Sequence, residues 1–546
     1  MPEPLQGRCS VARDRRWRCA FVVAFVALFL LKLTVAATLA PFGDEAFYWQ
    51  ESRHLAWGYS DLPPLTAWLI RLGESVAGHG VLGMRWPFLL LGSVLPWLLV
   101  AFAQQGGALS RGAQRAGISA MAWQAGLLCL LLPLAGSLGV LALPDVPLTV
   151  AIMLALLALL RAMDGNRWRD WLLLGAALAL CWMTHYRAAM PMLAGLLLFL
   201  ATPRGRAQWR RGGFWLAMLV AAIGLLPLLI SNWQQHGAGV AFQLFERNPW
   251  RFHADALVQP LEQAVACTPL LYVLLLWVAW RSWQHRRSAP WDVVATVGLT
   301  FLLGYFVLGL FADDLRFRAH WPLPGYLPLL AALPLLWHEF YGRRGMRGLL
   351  LASVALAGAG QLAGMAYLGL AAHPGGARIL SGVKAFPANF VGWQEGGALA
   401  ARLHAQYPGV LVADNFMLAA ELDFQLDGAT PIYVLDSPLN TKHGRAPQLV
   451  LWQRDEAALR VAHAGQPMLL AVEETALRER ERADWLSSLC ARVIQPQPLQ
   501  RLDLYQGRKR IAFYLGRVPP VAVSGGPVAA GQACAIWPPR VGAGQP

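Results

Sequence analysis

At 546 residues, with 56% hydrophobic and 14% charged side chains and a mean hydropathy of +0.42, the chain is too apolar for one soluble globule. Its apolar runs repeatedly approach the ~20 residues needed to cross a bilayer, which marks a polytopic membrane protein. The formal net charge of +15 does not point to nucleic acid, because the arginines lie in short clusters between apolar runs and form no single basic face interleaved with aromatics.

The first apolar run, residues 20–40, follows Arg8, Arg13, Arg15, Arg16 and Arg18, so the positive-inside rule predicts a cytoplasmic N-terminus. A cleaved signal peptide is the competing reading; the run is long for a signal, and an uncleaved span is expected. Lys32 within it reads as a snorkelling or helix-bridging lysine. Further apolar segments lie at 84–104, 117–136, 146–160, 171–184, 187–201, 214–231, 262–280, 292–311, 322–338 and 348–371. Arginine clusters such as Arg161/Arg167/Arg169, Arg204/Arg206/Arg210/Arg211 and Arg343/Arg344/Arg347 mark cytoplasmic turns between pairs of them. The expected fold is thus an α-helical membrane domain of about eleven transmembrane helices over 1–371, with the C-terminal part on the other side of the membrane. The arms of the 171–201 hairpin are short, roughly 22 Å each, which is tolerated where helices line a protein cavity.

From about residue 372 the sequence turns mixed and polar. Apolar runs at 410–413, 431–435 and 468–472 read as buried strands, with helical stretches at 394–406, 415–426, 455–464 and 474–490. Strand-helix alternation predicts a small exported α/β domain over 372–517. The tail, 518–546, is rich in Gly, Pro, Ala and Val and is expected to be poorly ordered. Cys490 and Cys534 fall in the exported part, where a disulfide is an option that sequence alone does not settle. No internal repeat of the kind built into many transporters is visible.

Four polar constellations stand at the outer ends of the predicted spans. The loop after the first span holds Asp44 and Glu45, then Tyr48, Trp49, Tyr59 and Asp61, with Trp57 and Trp68 as interfacial aromatics. Paired carboxylates at the mouth of a span are costly to keep dry and point to a reaction site. Asp145, between Pro144 and Pro147, is by itself an ordinary helix N-cap. His185, Tyr186 and Arg187 offer donors to a phosphate, or snorkel to headgroups. Arg316, Arg318 and His320, before Trp321-Pro322, are cationic on the side the positive-inside rule disfavours, and an anionic ligand explains them. Asn232 and His236, in Asn232-Trp233-Gln234-Gln235-His236-Gly237, line either a pocket or a solvated loop.

The string Asp44-Glu45-Ala46-Phe47-Tyr48-Trp49, followed by Leu55-Ala56-Trp57-Gly58-Tyr59-Ser60-Asp61-Leu62-Pro63-Pro64-Leu65, resembles the first-loop signature of bacterial GT-C glycosyltransferases. It is nearest the group of protein O-mannosyltransferase-like and lipid A aminoarabinose transferase enzymes. Pro144-Asp145-Val146-Pro147-Leu148 and Arg318-Ala319-His320-Trp321-Pro322 resemble two further motifs of that family, and Phe424-Gln425-Leu426, 431–435 and 448–452 resemble segments of related bacterial chains.

The resemblance implies an inverting hexosyl or pentosyl transferase in the bacterial inner membrane. Such an enzyme moves a sugar from a polyprenyl-phosphate carrier to a lipid A, protein or glycan acceptor at the outer face. It implies Asp44, Glu45 and Asp145 as the acidic groups, with Asp44 as base, and Arg187, Arg316, Arg318 and His320 as phosphate ligands. A divalent metal ion held by Asp44 and Asp145 is one option. Leu62 departs from the family pattern, where a polar residue is common. A surface-glycan ligase or polymerase, a transporter and a non-catalytic homologue are the competing readings. The chain carries no P-loop or comparable nucleotide-phosphate motif.

Overall fold

The computed structural model describes residues 3–109, 118–246, 250–311, 319–340, 342–477 and 479–521. The chain divides into two compact units: residues 1–37 with 56–368, and residues 38–55 with 369–546.

The first unit is helical. A helix falls on each of the eleven apolar segments, but among the described residues only six helices are long and apolar enough to cross a membrane, or up to eight if each of two bent pairs is one span. The segment expected as one helix over 262–280 is broken. Ala254–Cys267 and Pro269–His285 meet at 113°, because Thr268 turns the backbone to a φ of +68° and Pro269 has no N–H with which to continue the ladder. The 187–201 arm is bent likewise, by 93°, against the Pro203–Arg210 stretch.

Packing centres on the Val81–Gln105, Asp145–Gly165 and Trp168–Thr184 helices. Close approach near residue 138 depends on glycine: a Cβ on Gly92 would lie 2.2 Å from the Leu138 carbonyl oxygen. That oxygen accepts from the buried Lys32 Nζ at 2.5 Å, so Lys32 ties the first helix to the turn at Leu138 and does not snorkel.

The second unit is an α/β layer structure around a five-stranded sheet. Strands β1 (Val410–Ala413), β2 (Ile432–Val434) and β3 (Pro467–Glu473) fall on the three apolar runs, and they are parallel in the order β2-β1-β3. Two strands outside the three expected runs, β4 (Ile494–Leu504) and β5 (Lys509–Arg517), add an antiparallel pair beyond β3. Alternation along the strands serves two cores. Leu411, Leu469, Ile511 and Phe513 face one, and Val412, Leu470, Ala512 and Tyr514 the other.

The first core is completed by the Gly43–Arg53 helix, whose buried Ala46 and Phe47 belong to it. Phe47 meets Phe416 edge-on at 5.5 Å, and Trp49 meets Phe424 at 5.3 Å. This first-loop helix therefore folds with residues far downstream of it.

Candidate functional site

Within the helical unit, Asp145 opens the Asp145–Gly165 helix, but Pro144 is the N-cap and no side chain caps it. The Asp145 carboxylate is turned elsewhere: Oδ1 accepts from Arg187 Nη2 at 2.7 Å and lies 3.2 Å from His320 Nε2. Arg187 sits in the short turn after the Trp168–Thr184 helix. That turn forms because His185 adopts an extended backbone and its Nδ1 accepts from the Arg187 N–H at 3.0 Å. The Arg187 guanidinium lies 5.3 Å over the Trp321 ring, which contacts Tyr305 at 5.7 Å. Arg187 Nε is buried and has no partner among the described residues. Three of the expected residues thus converge on one carboxylate oxygen. Arg316 and Arg318 lie outside the described residues, as does Cys534.

A second polar group in this unit gathers Tyr186, Asn232 and the 58–62 loop. Asn232 Nδ2 donates to the Tyr186 hydroxyl at 3.1 Å, and its Oδ1 accepts from Val240 N at 2.9 Å. Gln235 Nε2 donates to Gly58 O at 3.2 Å, and Gln243 Nε2 to Asp61 O at 3.0 Å. Tyr59 is buried, with its N–H on Leu62 O at 2.8 Å. The Leu62 side chain is buried too, so the departure at this position is used for packing. His236 stands apart: it is exposed, with a φ of +52° that terminates its turn.

The acidic pair of the first loop belongs to the other unit. Glu45 is fully buried, and its Oε2 accepts from Phe42 N at 3.0 Å, closing the N-terminus of the Gly43–Arg53 helix. Glu45 was expected as a reactive carboxylate; its geometry is that of a cap. Asp44 is partly exposed and its Oδ1 receives Arg445 Nη2 at 3.3 Å. Arg445 is 3% exposed, sits 4.3 Å over the Phe47 ring and 5.0 Å over Tyr48, and reaches within 3.5 Å of the buried Glu51. Sequence reasoning missed Arg445, since nothing local marks one arginine of 438–445 as the partner of a residue 401 positions away.

A divalent metal does not suit these donors. The Asp145 oxygen faces a guanidinium and an imidazole, Asp44 faces a guanidinium, and among the described residues no three His, Cys, Asp or Glu side chains gather as a ligand set.

Residues 61–231, which include Asp61, Asp145, His185, Tyr186 and Arg187, match the family model described as dolichyl-phosphate-mannose-protein mannosyltransferase. A lipid A galacturonosyltransferase, RgtD, of Rhizobium johnstonii is 26% identical over 291 residues, covering 52% of this chain and 58% of the relative. The match thus spans less than two thirds of that relative's length. The structure of ArnT from Cupriavidus metallidurans bound to undecaprenyl phosphate superposes with a TM-score of 0.61 at 16% identity, over 91% of this chain and 98% of that one. Its apo state gives 0.62 over the same shares.

Together these findings support the GT-C glycosyltransferase family. The resemblance read from the first loop is borne out, and at 16% identity the likeness to ArnT is one of fold. With six to eight helices among the described residues long and apolar enough to cross a bilayer, the chain is a multi-pass membrane protein.

Proposed function

We propose that this protein is an inverting glycosyltransferase that moves a sugar from a polyprenyl-phosphate carrier to a lipid, protein or glycan acceptor at the outer face of the bacterial inner membrane. The observation that carries the reading is the Asp145–Arg187–His320 cluster, with Arg187 Nε buried and lacking an acceptor among the described residues. A phosphate oxygen supplies that acceptor, and the planar guanidinium fork suits it. The family match covers Asp145 and Arg187, and the ArnT structure of the same fold holds undecaprenyl phosphate.

In this mechanism the acceptor oxygen attacks the anomeric carbon, and the bond from that carbon to the carrier phosphate breaks with its electron pair passing to the phosphate. The reacting centre passes through an oxocarbenium-like state, and one displacement inverts it. Arg187 and His320 balance the charge that develops on the leaving phosphate. Asp145 holds both in register through one oxygen. The acceptor proton passes to a carboxylate within ~3 Å of the attacking hydroxyl; the first-loop resemblance gives that role to Asp44, whose carboxylate Arg445 orients within its own unit.

Mass spectrometry of envelope lipids and proteins from cells with and without the intact gene tests the reading, and one sugar mass should be missing from one acceptor. Asp44→Asn should abolish that transfer while membrane insertion is kept. An unchanged envelope overturns the proposal, and retained transfer in Asp44→Asn removes the base assignment.

A further inference from the structure

The α/β unit contains a cavity of about 290 Å³ that the transfer reading does not use. It opens between the Gly43–Arg53 helix and the 423–454 region, and its walls include Ile432, Val434 and Leu449 from strings already singled out in the sequence. Its size lies at the small end of ligand pockets, roughly 300–1,000 Å³, and suits a single sugar ring better than a larger ligand.

The lining is unusual for a merely structural gap. Two guanidiniums, Arg53 and Arg454, border it, and among the described residues neither side chain makes a hydrogen bond or ion pair. Each rests instead on an aromatic ring: Arg53 lies 5.8 Å over Trp49 and Arg454 5.4 Å over Tyr433. The acid that lines it, Asp423, accepts from Gln50 Nε2 at 2.8 Å and so presents an ordered acceptor. Trp452 is half-buried at the wall, 5.2 Å from the His54 ring. Burial first, then Arg454 and Arg53, push the His54 pKa below its ordinary value.

Cationic forks that feel the Asp423 charge but are hydrogen-bonded to no anion among the described residues, an apolar indole face and a fixed carboxylate acceptor are the complement of a ring with hydroxyls and one negative group. We propose that this cavity binds an acidic sugar, a pyranose carrying a carboxylate or a phosphate, with Arg53 and Arg454 holding the anion, Trp452 against the ring face and Asp423 accepting from a hydroxyl. The site uses residues of the α/β unit alone and stands independently of the transfer reading.

The test is saturation-transfer difference NMR on the full chain in detergent micelles, with D-glucuronate, D-glucose 6-phosphate and D-glucose as probes. One or both acids should bind in preference to glucose, and the comparison tells whether the carboxylate or the phosphate is the preferred anion. Arg53→Gln and Arg454→Gln should each weaken binding about tenfold or more, the usual weight of a hydrogen bond to a charged group, with the melting midpoint unchanged. If a variant melts early, salt provides the second measurement: raised ionic strength should weaken binding of the acids to the unaltered protein. Arg187→Gln, which disables the proposed transfer centre, should keep the binding, so either reading fails without the other. Binding of neither acid, binding of glucose as tight as that of the acids, or unchanged binding by a folded Arg53→Gln/Arg454→Gln protein overturns the proposal.

Discussion

Replacing Arg187 by glutamine removes the guanidinium that Asp145 and Trp321 jointly hold. The lost charge-assisted hydrogen bond at 2.7 Å is worth about 1.5–3 kcal/mol. The stack over Trp321 at 5.3 Å contributes about 0.5–2 kcal/mol. Both contacts exist before the donor binds and bear on stability; the bond lost to the departing phosphate is of the same charge-assisted kind, worth about 2–3 kcal/mol, or roughly 30- to 160-fold in kcat/KM for the donor. Arg187→Lys keeps the charge but loses the fork, and should fall between, at about tenfold. The assay is initial-rate transfer in proteoliposomes with the carrier-linked sugar varied at fixed acceptor. A loss smaller than threefold in a glutamine variant that melts normally would refute the assignment of Arg187 to the phosphate.

Two further expectations concern the α/β unit. Phe47→Ala empties a fully buried position packed on Phe416 and Trp452 and should cost about 3–5 kcal/mol; limited proteolysis should then cut near residues 38–55 at lower temperature than in the unaltered chain, and equal resistance would contradict the packing. Asp414 is buried, and burial, with Glu473 nearby, raises its pKa to about 7 although Glu473 N, Asn415 and Trp485 all donate to it. A carboxyl whose folded value lies above its unfolded one favours the fold at low pH and loses that advantage as pH rises to about 7. The melting advantage of the unaltered protein over Asp414→Asn should therefore shrink between about pH 4 and 7 and level off above it; a constant gap would show that Asp414 is ionised throughout.

What the sequence disclosed and what it concealed follow from the range of the interactions involved. Strands β1, β2 and β3 are apolar on both faces, as parallel strands covered by helices must be, and such runs are visible without a structure. Strand β4 carries Gln495, Pro496, Gln497 and Pro498, with bulges in its pairing, and a polar edge strand has no clear period to read. The kink at Thr268 was signalled by Pro269 and should have divided the 262–280 run. Asp145, Arg187 and His320 were each picked out by residue type and place, and their joining on one oxygen is a tertiary fact. The role of Glu45 could have been foreseen, because an acid at the third position of a helix is the usual partner of its N-cap. The Asp44–Arg445 pair could not.

The helix that carries Asp44 is made early and completed late. Gln50 and Asp423 hydrogen-bond across 373 residues of chain, and closing a loop of that length costs an entropy worth about 5 kcal/mol. During synthesis at ~5–20 residues per second, residues 38–55 emerge well before the strands that bury Phe47, and must wait while the intervening helices are inserted. A nascent chain stopped anywhere before residue 416 holds Asp44 without the α/β core around it. Maturation of this loop is thus coupled to completion of the polypeptide, and a protein truncated within its last third should lose order at its first.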